Sequence, residues 1–190
     1  MPRWEPDARQ RLVRAALELF SEQTYDTTTV AQIADRAGLT RSTFFRYFPD
    51  KRDILTAGQE TLARLFAEGI ASAPAEATPL TAVAQALAKA AGVMTEFNRE
   101  IGTRMQAVLA SSAELRERDQ LKHVGLAAVM ADALVARGVA RPVAALAGEM
   151  GLIAFRDAFA QWVNDDGAAP LAELLNGAMA KLRDARDQLG

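Results

Sequence analysis

Residues 41–51 form a short basic and aromatic segment that holds most of the side chains able to bind an anion or read a base edge. Its polar members before the proline are Arg41, Ser42, Thr43, Arg46 and Tyr47. Arginine binds phosphate oxygens and the edge of guanine, and hydroxyl groups exchange hydrogen bonds with phosphates and bases. From Arg36 to Arg52 there are five basic residues and one acid, Asp50. The segment therefore predicts contact with nucleic acid.

The residues around this segment predict two short helices joined by a tight turn. Thr29 is a good N-cap with Gln32 at capping-box spacing, and Gly38 suits the left-handed residue that ends a helix. Thr40 is the next N-cap, and Pro49 stops the helix that it opens. This pattern describes a helix-turn-helix, whose second helix lies in the DNA major groove. The alternative is a solvated turn between two packing helices.

Aromatic spacing divides the second helix into two faces. Phe44 and Phe48 are four residues apart and are predicted to share the inner face. Phe45 lies about 100° away, so it points outward or packs at the edge. The helix before the motif carries Arg9, Arg11 and Arg14 outside its apolar stripe. Those three arginines either touch backbone phosphates or form a solvated face.

Four sequence elements occur in the order typical of the TetR family of transcriptional regulators. They are Ala-Ala-Leu-Glu-Leu-Phe (15–20), Thr-Thr-Val (28–30), Ile-Ala-Asp-Arg-Ala-Gly (33–38) and Ser-Thr-Phe-Phe-Arg-Tyr-Phe-Pro-Asp-Lys (42–51). Over about residues 8–60 the chain resembles the N-terminal domain of that family. The resemblance implies an operator-binding domain in which Thr29 and Lys51 bind phosphate. It also implies that the major groove is faced by Arg41, Ser42, Thr43, Arg46 and Tyr47.

One position in the motif departs from the family pattern. The family often has tyrosine where this chain has Phe45. A phenolic hydroxyl that would bind phosphate is therefore absent, but the ring can still meet a thymine methyl group.

Charge is distributed unevenly along the 190 residues. Residues 1–52 hold nine Lys or Arg and seven acids, a balance of +2, whereas residues 53–190 hold thirteen and seventeen, a balance of −4. Such an asymmetry is typical of a nucleic-acid module joined to another domain. We therefore predict a DNA-binding domain over 1–52 and a helical ligand-binding and dimerisation domain over 53–190.

Composition and periodicity predict an all-α fold of about nine helices. Half of the residues are hydrophobic and none is cysteine. One helix is predicted from Asp50 to about Ser72, and five more follow at about 79–93, 95–110, 112–137, 142–165 and 169–188. The absence of a long apolar run, of a signal-peptide core and of cysteine favours a cytoplasmic protein without membrane spans, disulfides or thiolate metal sites.

Catalytic chemistry is not indicated by any motif. His123 is the only histidine, and it is expected to be solvated or to cap a helix. No Ser-His-acid arrangement, paired carboxylates or glycine-rich phosphate loop stands out. We expect neither enzyme activity nor a bound cofactor or metal ion.

The last two helices predict a homodimer. The helix at 142–165 is apolar nearly all round, with Gly148 and Gly151 allowing close backbone approach, and the last helix has a leucine-rich stripe. Together they predict a two-fold four-helix interface through about 142–188. The alternative is that both helices pack inside one monomer. The TetR resemblance implies the dimer, bound to a palindromic operator.

The middle helices are predicted to form a chamber for a small, largely apolar effector. The predicted lining is Phe97, Arg104, Met105, Leu109, Met130, Phe155 and Phe159. Methionine and phenylalanine line adaptable cavities but also fill ordinary cores, and that alternative stays open for each. Arg99, Arg104 and Arg156 are candidates to hold an anionic group. For Arg156 the alternative is an ion pair with Glu149, Asp157 or another acid.

Two further segments, 104–118 and 159–162, are similar to the C-terminal domain of the mycofactocin-regulator branch of the family. That similarity implies an acyl-CoA-type effector.

The function predicted from these features is a ligand-responsive, homodimeric repressor that a small effector releases from a palindromic operator. The hypothesised mechanism is a tilt of the helix from Asp50 to Ser72, which changes the spacing of the two reading helices. Two rival functions remain: a transcriptional activator or ligand-independent DNA-binding protein, and a helical small-molecule carrier or enzyme whose helix-turn-helix is incidental.

Overall fold

A computed structural model of the chain describes residues 8–111, 113–165 and 169–188. Within these residues the regular secondary structure is helical, which confirms the predicted all-α class. The nine α-helices of the described residues are α1 (Ala8–Gln23), α2 (Val30–Arg36), α3 (Arg41–Tyr47), α4 (Gln59–Ala71), α5 (Pro79–Ala91), α6 (Glu96–Ser111), α7 (Ala113–Ala136), α8 (Arg141–Asn164) and α9 (Leu171–Gln188).

Threonine caps set the start of α2 and of α3. The Thr29 hydroxyl accepts from the Gln32 amide at 3.3 Å at the start of α2, and the Gln32 side chain accepts from the Thr29 amide at 2.8 Å. Thr40 caps α3 through the Thr43 amide in the same way, at 3.1 Å. Each cap satisfies an amide that has no partner inside its helix, so local sequence fixes where α2 and α3 begin.

The predicted single helix from Asp50 to Ser72 is wrong. Asp50 instead caps a 3-10 helix, Lys51–Ile54, and turns separate this from α4. Gly58 has a φ of +91°, in the left-handed region that glycine adopts at little cost. A residue in that conformation cannot continue an α-helix, so α4 begins only at Gln59.

The chain folds into two compact units. The first contains the described residues up to Ala57 together with Glu100–Asp119, and the second contains Gly58–Arg99 together with the described residues from Gln120 onward. The buried core of the first unit includes Leu12, Ala16, Phe20, Ile33, Phe44, Phe48 and Ile54. The core of the second includes Phe66, Ile70, Val83, Leu87, Leu126, Met130, Leu134, Leu152 and Phe155.

Close packing of α8 in the second unit depends on a missing side chain. A Cβ placed on Gly148 would lie 2.7 Å from the carbonyl oxygen of Ala127 in α7. The close backbone approach predicted at Gly148 is therefore confirmed, and the approaching helix belongs to the same chain.

The leucine-rich stripe of α9 is used within the subunit. Leu171, Leu175 and Met179 are buried in the core of the second unit. The prediction that this stripe forms the dimer surface is wrong, since the alternative of packing inside one monomer describes it. By contrast, α8 has more apolar surface than the unit covers: Val143, Leu146 and Ile153 are 50%, 59% and 44% exposed. None of the described helices is long and apolar enough to cross a membrane.

Candidate nucleic-acid interface and effector region

The turn between α2 and α3 is held by an arginine from α1. Gly38 has a φ of +65°, and the Leu39 amide donates to the Ala34 carbonyl at 2.9 Å. The Arg11 guanidinium donates to the carbonyl oxygens of Ala37 and Gly38. Three consecutive elements are thereby fixed around the turn, and α3 has a defined direction.

Helix α3 has one buried face and one exposed face. Phe44 and Phe48 are buried, as predicted, and their ring centres lie 5.7 Å apart. Phe45 points outward and is 49% exposed. The exposed side chains of α3 are Arg41, Ser42, Phe45 and Arg46, which span an arc of about 140° on the helix. This acid-free arc is the candidate reading face.

Two of the residues predicted to face the groove, Thr43 and Tyr47, lie about 60° and 100° outside this arc. Thr43 is half-buried, and its hydroxyl oxygen lies 3.0 Å from that of Thr40. Tyr47 is also half-buried, and the Arg46 guanidinium lies 5.2 Å from the centre of its ring.

Arg41 is the most available cation of the reading face. It is exposed, and its guanidinium forms no hydrogen bond or ion pair with any residue that the structure describes. The Thr29 hydroxyl, by contrast, already serves α2: it lies 3.0 Å from the Gln32 side-chain oxygen and caps the helix. Thr29 is nevertheless exposed at the N-terminus of α2, where unpaired amides favour an anion.

Lys51 is directed into the protein. Its ammonium group donates to the carbonyl oxygens of Tyr25 and Thr28 at 2.7 and 2.9 Å. It also lies 4.3 Å from the centre of the Tyr25 ring. Lys51, which was predicted to bind phosphate, is thus hydrogen-bonded to the turn between α1 and α2, whereas Arg41 is exposed.

The arginines of α1 have intramolecular partners, which neither alternative foresaw. Arg9 lies over the Phe48 ring at 5.3 Å, and Arg11 holds the α2–α3 turn as described. Arg14 forms a two-point contact with Glu100 of α6, with Nε to Oε1 and Nη2 to Oε2 both at 2.9 Å.

An ionic chain extends from this contact through the first unit. Glu18 lies 3.4 Å from Arg104 and 3.6 Å from Arg36, and Arg104 lies 3.3 Å from Glu100. Arg104 is thus paired with two acids, and its role as an effector ligand stays a prediction. Arg14 and Glu100 lie 86 residues apart in sequence, as do Glu18 and Arg104, so no local pattern could have revealed these two contacts.

Hydrogen bonds from arginines lower the pKa of two carboxyl groups in the first unit. The side-chain hydrogen bond from Arg14, reinforced by the charges of Arg14 and Arg104, holds the pKa of Glu100 below 4.5. The hydrogen bond from Arg36 lowers the pKa of Glu22 in the same direction.

The other residues of the predicted effector lining are divided between the two units. Met105 and Leu109 are half-buried in the first unit, whereas Phe97, Met130, Phe155 and Phe159 belong to the second. Met130 is fully buried in the core of that unit, as its alternative proposed. Phe155 and Phe159 are in direct ring contact, stacked with centres 5.7 Å apart.

These two rings belong to a longer aromatic row in the second unit. Phe66 of α4 meets Phe155 edge-on at 5.5 Å, and Phe159 meets Trp162 at 5.8 Å. The Arg99 guanidinium lies 6.0 Å from the centre of the Trp162 ring and donates to the Asp165 carbonyl. Exposure rises along the row from the fully buried Phe66 to the half-buried Trp162. The row therefore leads from the core to a cation.

Arg156 lies elsewhere, on the exposed side of α8, and it forms no ion pair with any acid among the described residues. The same residues contain no group of three His, Cys, Asp or Glu side chains that could hold a metal ion.

Comparison with known proteins agrees with this geometry. The sequence profile of bacterial regulatory proteins of the tetR family matches residues 12–57, which include α2, α3 and the capped turn between them. A solved TetR-family repressor, Thermus thermophilus FadR in complex with lauroyl-CoA, has the same fold over 92% of each chain, at 26% identity and a TM-score of 0.54. Residues 12–57 of this chain therefore match the tetR family of bacterial regulatory proteins.

Other proteins resemble this chain either over a short stretch of sequence or over the whole fold. It is 37% identical to the HTH-type transcriptional regulator TcmR of Streptomyces glaucescens over 78 residues, which are 41% of this chain and 34% of TcmR. The chain thus aligns with about a third of that relative's length. Bacillus subtilis FadR in complex with stearoyl-CoA shares the fold over 90% of this chain and 96% of its own, at 22% identity and a TM-score of 0.60.

Proposed function

We propose that the protein is a homodimeric transcriptional repressor that binds a palindromic operator in double-stranded DNA and is released from it by a small effector. The exposed face of α3 carries this proposal, because it presents two arginines, a serine and a phenylalanine with no acid among them. No catalytic step is part of this function, and its place of action is the cytoplasm.

In the proposed complex α3 lies in the major groove. Arg41 and Arg46 bind phosphate or guanine, Ser42 bonds a base or phosphate, and the Phe45 ring packs on a thymine methyl group. Thr43 and Tyr47, outside the arc, bind the backbone. The N-terminus of α2, with Thr29, takes a phosphate.

The dimer in this proposal forms through α8. Its exposed apolar side chains, Val143, Leu146 and Ile153, recur on one side of the helix and support a self-complementary two-fold contact. The exposed side of α9 contributes beside it, within the predicted span of 142–188. Two-fold symmetry would place the two α3 helices one DNA turn apart, about 34 Å, on a palindrome.

The proposed effector site is the aromatic row from Phe66 to Trp162, with Arg99 at its exposed end. A ligand with an apolar body and an anionic head fits that order of residues, because apolar surface would be buried while the charge meets a guanidinium. The complex of FadR with lauroyl-CoA supports an acyl-CoA-like class.

Transmission of the effector signal is proposed to follow α6. A rigid lever from Asp50 to Ser72 is ruled out by the interruption at Gly58. Helix α6 is continuous, and its residues from Glu100 onward bind α1 through Arg14. An effector that favours one position of α6 would shift the operator affinity only by its differential affinity for the two states.

Selection of bound sequences from random duplex DNA tests the DNA-binding function. We expect an enriched palindrome for the wild-type protein, and loss of enrichment for Arg41→Ala. Arg64→Ala is the control, because Arg64 is an exposed arginine that is paired with Glu68 on α4 and belongs to the second unit. Weak, salt-sensitive binding without enrichment would refute the proposal and favour a helical carrier.

A reporter assay then separates repressor from activator. With the enriched palindrome placed at a promoter, expression should rise when the gene is deleted. A fall in expression would identify an activator. Addition of a medium-chain acyl-CoA should relieve repression, and relief should be weaker with Phe159→Ala.

A further inference from the structure

The ammonium group of Lys51 has all its hydrogen-bonding capacity in use. Beside the carbonyl oxygens of Tyr25 and Thr28 at 2.7 and 2.9 Å, that of Asp26 lies 3.4 Å away. A lysine ammonium has three hydrogens and no acceptor. Three carbonyl oxygens that converge on one point repel each other unless a cation lies between them. The lysine and the turn therefore depend on each other.

The turn that Lys51 holds has an unusual backbone. Thr24 has a φ of +83°, a conformation that β-branched residues rarely adopt. The Thr28 hydroxyl, which is buried, donates back to the Thr24 carbonyl at 2.7 Å. Such a backbone persists only when its surroundings hold it, and Lys51 supplies bonds from outside the turn.

The same turn sets the position of α2. Thr28 immediately precedes the cap residue Thr29. The side-chain nitrogen Nε2 of Gln23, at the end of α1, lies 3.2 Å from both the Thr28 hydroxyl and the Gln32 side-chain oxygen. Any movement of the turn is therefore passed to the first residues of α2.

We infer that Lys51 is a positioning residue of the DNA-binding unit: it fixes the α1–α2 turn and thereby the N-terminus of α2, and it does not itself bind phosphate. This inference rests on the proposed function, and it replaces the phosphate contact that the family resemblance implies for Lys51. To reach a phosphate, the ammonium would have to leave three carbonyl oxygens and the Tyr25 ring.

The dependence of DNA affinity on salt distinguishes the two roles. The probe is the duplex enriched by selection, and each phosphate that a cation neutralises contributes about 0.9 to the slope of log K against log salt concentration. We expect Lys51→Met to weaken binding roughly tenfold, the loss of about one charge-assisted hydrogen bond, with an unchanged slope. Arg41→Met should reduce the slope by about one.

A second variant retains the positive charge. Lys51→Arg places a planar guanidinium where a compact ammonium meets three converging carbonyls, so a positioning role predicts much of the same loss of affinity. Lys89→Met, which removes a lysine paired with Glu68 in the other unit, should leave binding unchanged. Wild-type affinity in Lys51→Arg, together with a reduced slope in Lys51→Met, would overturn the inference.

Amide hydrogen exchange in the free protein tests, without DNA, whether Lys51 holds the α1–α2 turn. Residues 24–29 should exchange at least tenfold faster in Lys51→Met, while α8 remains protected. Unchanged exchange in that turn would also overturn the inference. If the wild-type protein binds no duplex, the proposed function fails, and the exchange result still decides whether Lys51 holds the turn.

Discussion

Arg14 of α1 and Glu100 of α6 face each other in a two-point ion pair, with both of its shortest nitrogen–oxygen distances at 2.9 Å. Glu100 also lies 3.3 Å from Arg104, which in turn reaches Glu18 of α1. The first unit is therefore completed by a segment from the middle of the chain, and ion pairs hold part of this junction.

Replacement of Glu100 by glutamine should make the stability of the protein less dependent on acid pH. Because Arg14 holds the folded pKa of Glu100 below 4.5, the pair stabilises the fold fully above about pH 4.5 and loses this contribution as pH falls through the folded pKa. With side chains 36% and 31% exposed, the pair is worth about 1 kcal/mol.

Urea unfolding of wild type and Glu100→Gln between pH 7 and about pH 3 measures this effect. The two free energies of unfolding should differ at neutral pH and converge in acid. Glu173→Gln is the control, since Glu173 forms no ion pair with the described residues. A difference that grows on acidification would contradict the assignment.

Substitution of Gly69 by alanine should destabilise the second unit. A Cβ at this position would lie 2.9 Å from the Cβ of Ala86 and closer still to its Cα, so α4 and α5 would have to separate. We expect a loss of roughly 1–3 kcal/mol in the free energy of unfolding.

Gly125→Ala is the matched control for Gly69→Ala in chemical denaturation. Its nearest neighbour, Nε2 of Gln59, is at an ordinary 3.5 Å, so the helix propensity of alanine should stabilise α7 by about 0.5–1 kcal/mol. Equal effects of the two substitutions would show that α4 and α5 are not tightly packed.

A charge on the exposed side of α8 should abolish the dimer. Leu146→Asp would bury an unpaired carboxylate on each side of a two-fold interface, which costs roughly 3 kcal/mol or more and weakens association over a hundredfold. Sedimentation equilibrium should show a monomer for Leu146→Asp and a dimer for Leu121→Asp, because Leu121 is similarly exposed but lies on α7. A dimeric Leu146→Asp would place the interface elsewhere.

Removal of thymine methyl groups should reveal what Phe45 reads. If its exposed ring packs on a methyl group, replacing that thymine by deoxyuridine loses about 0.8 kcal/mol, or roughly fourfold in affinity. Phe45→Ala should bind both duplexes equally. Fluorescence anisotropy with each thymine of the enriched palindrome replaced in turn measures the effect. Equal binding by wild type at every position would exclude the methyl contact.

Much of the reading domain follows from short-range sequence. Thr29, Thr40 and Gly38 act through hydrogen bonds and backbone angles within a few residues, so their roles could be predicted from spacing alone. The same holds for Phe44 and Phe48, since helical periodicity places both on one face. Helix limits near 79, 111, 141 and 164 likewise follow from local caps and breakers.

Tertiary structure decided which partner each long side chain has. Lys51 and Arg41 are both cations of the motif region. Lys51 lies within reach of a turn about 25 residues earlier, whereas Arg41 does not. Arg104 pairs with Glu18, and the α9 stripe packs within its own unit, for the same reason. Local rules determine where helices begin and which faces are apolar, whereas flexible charged side chains and surplus apolar faces find their partners only when distant segments meet.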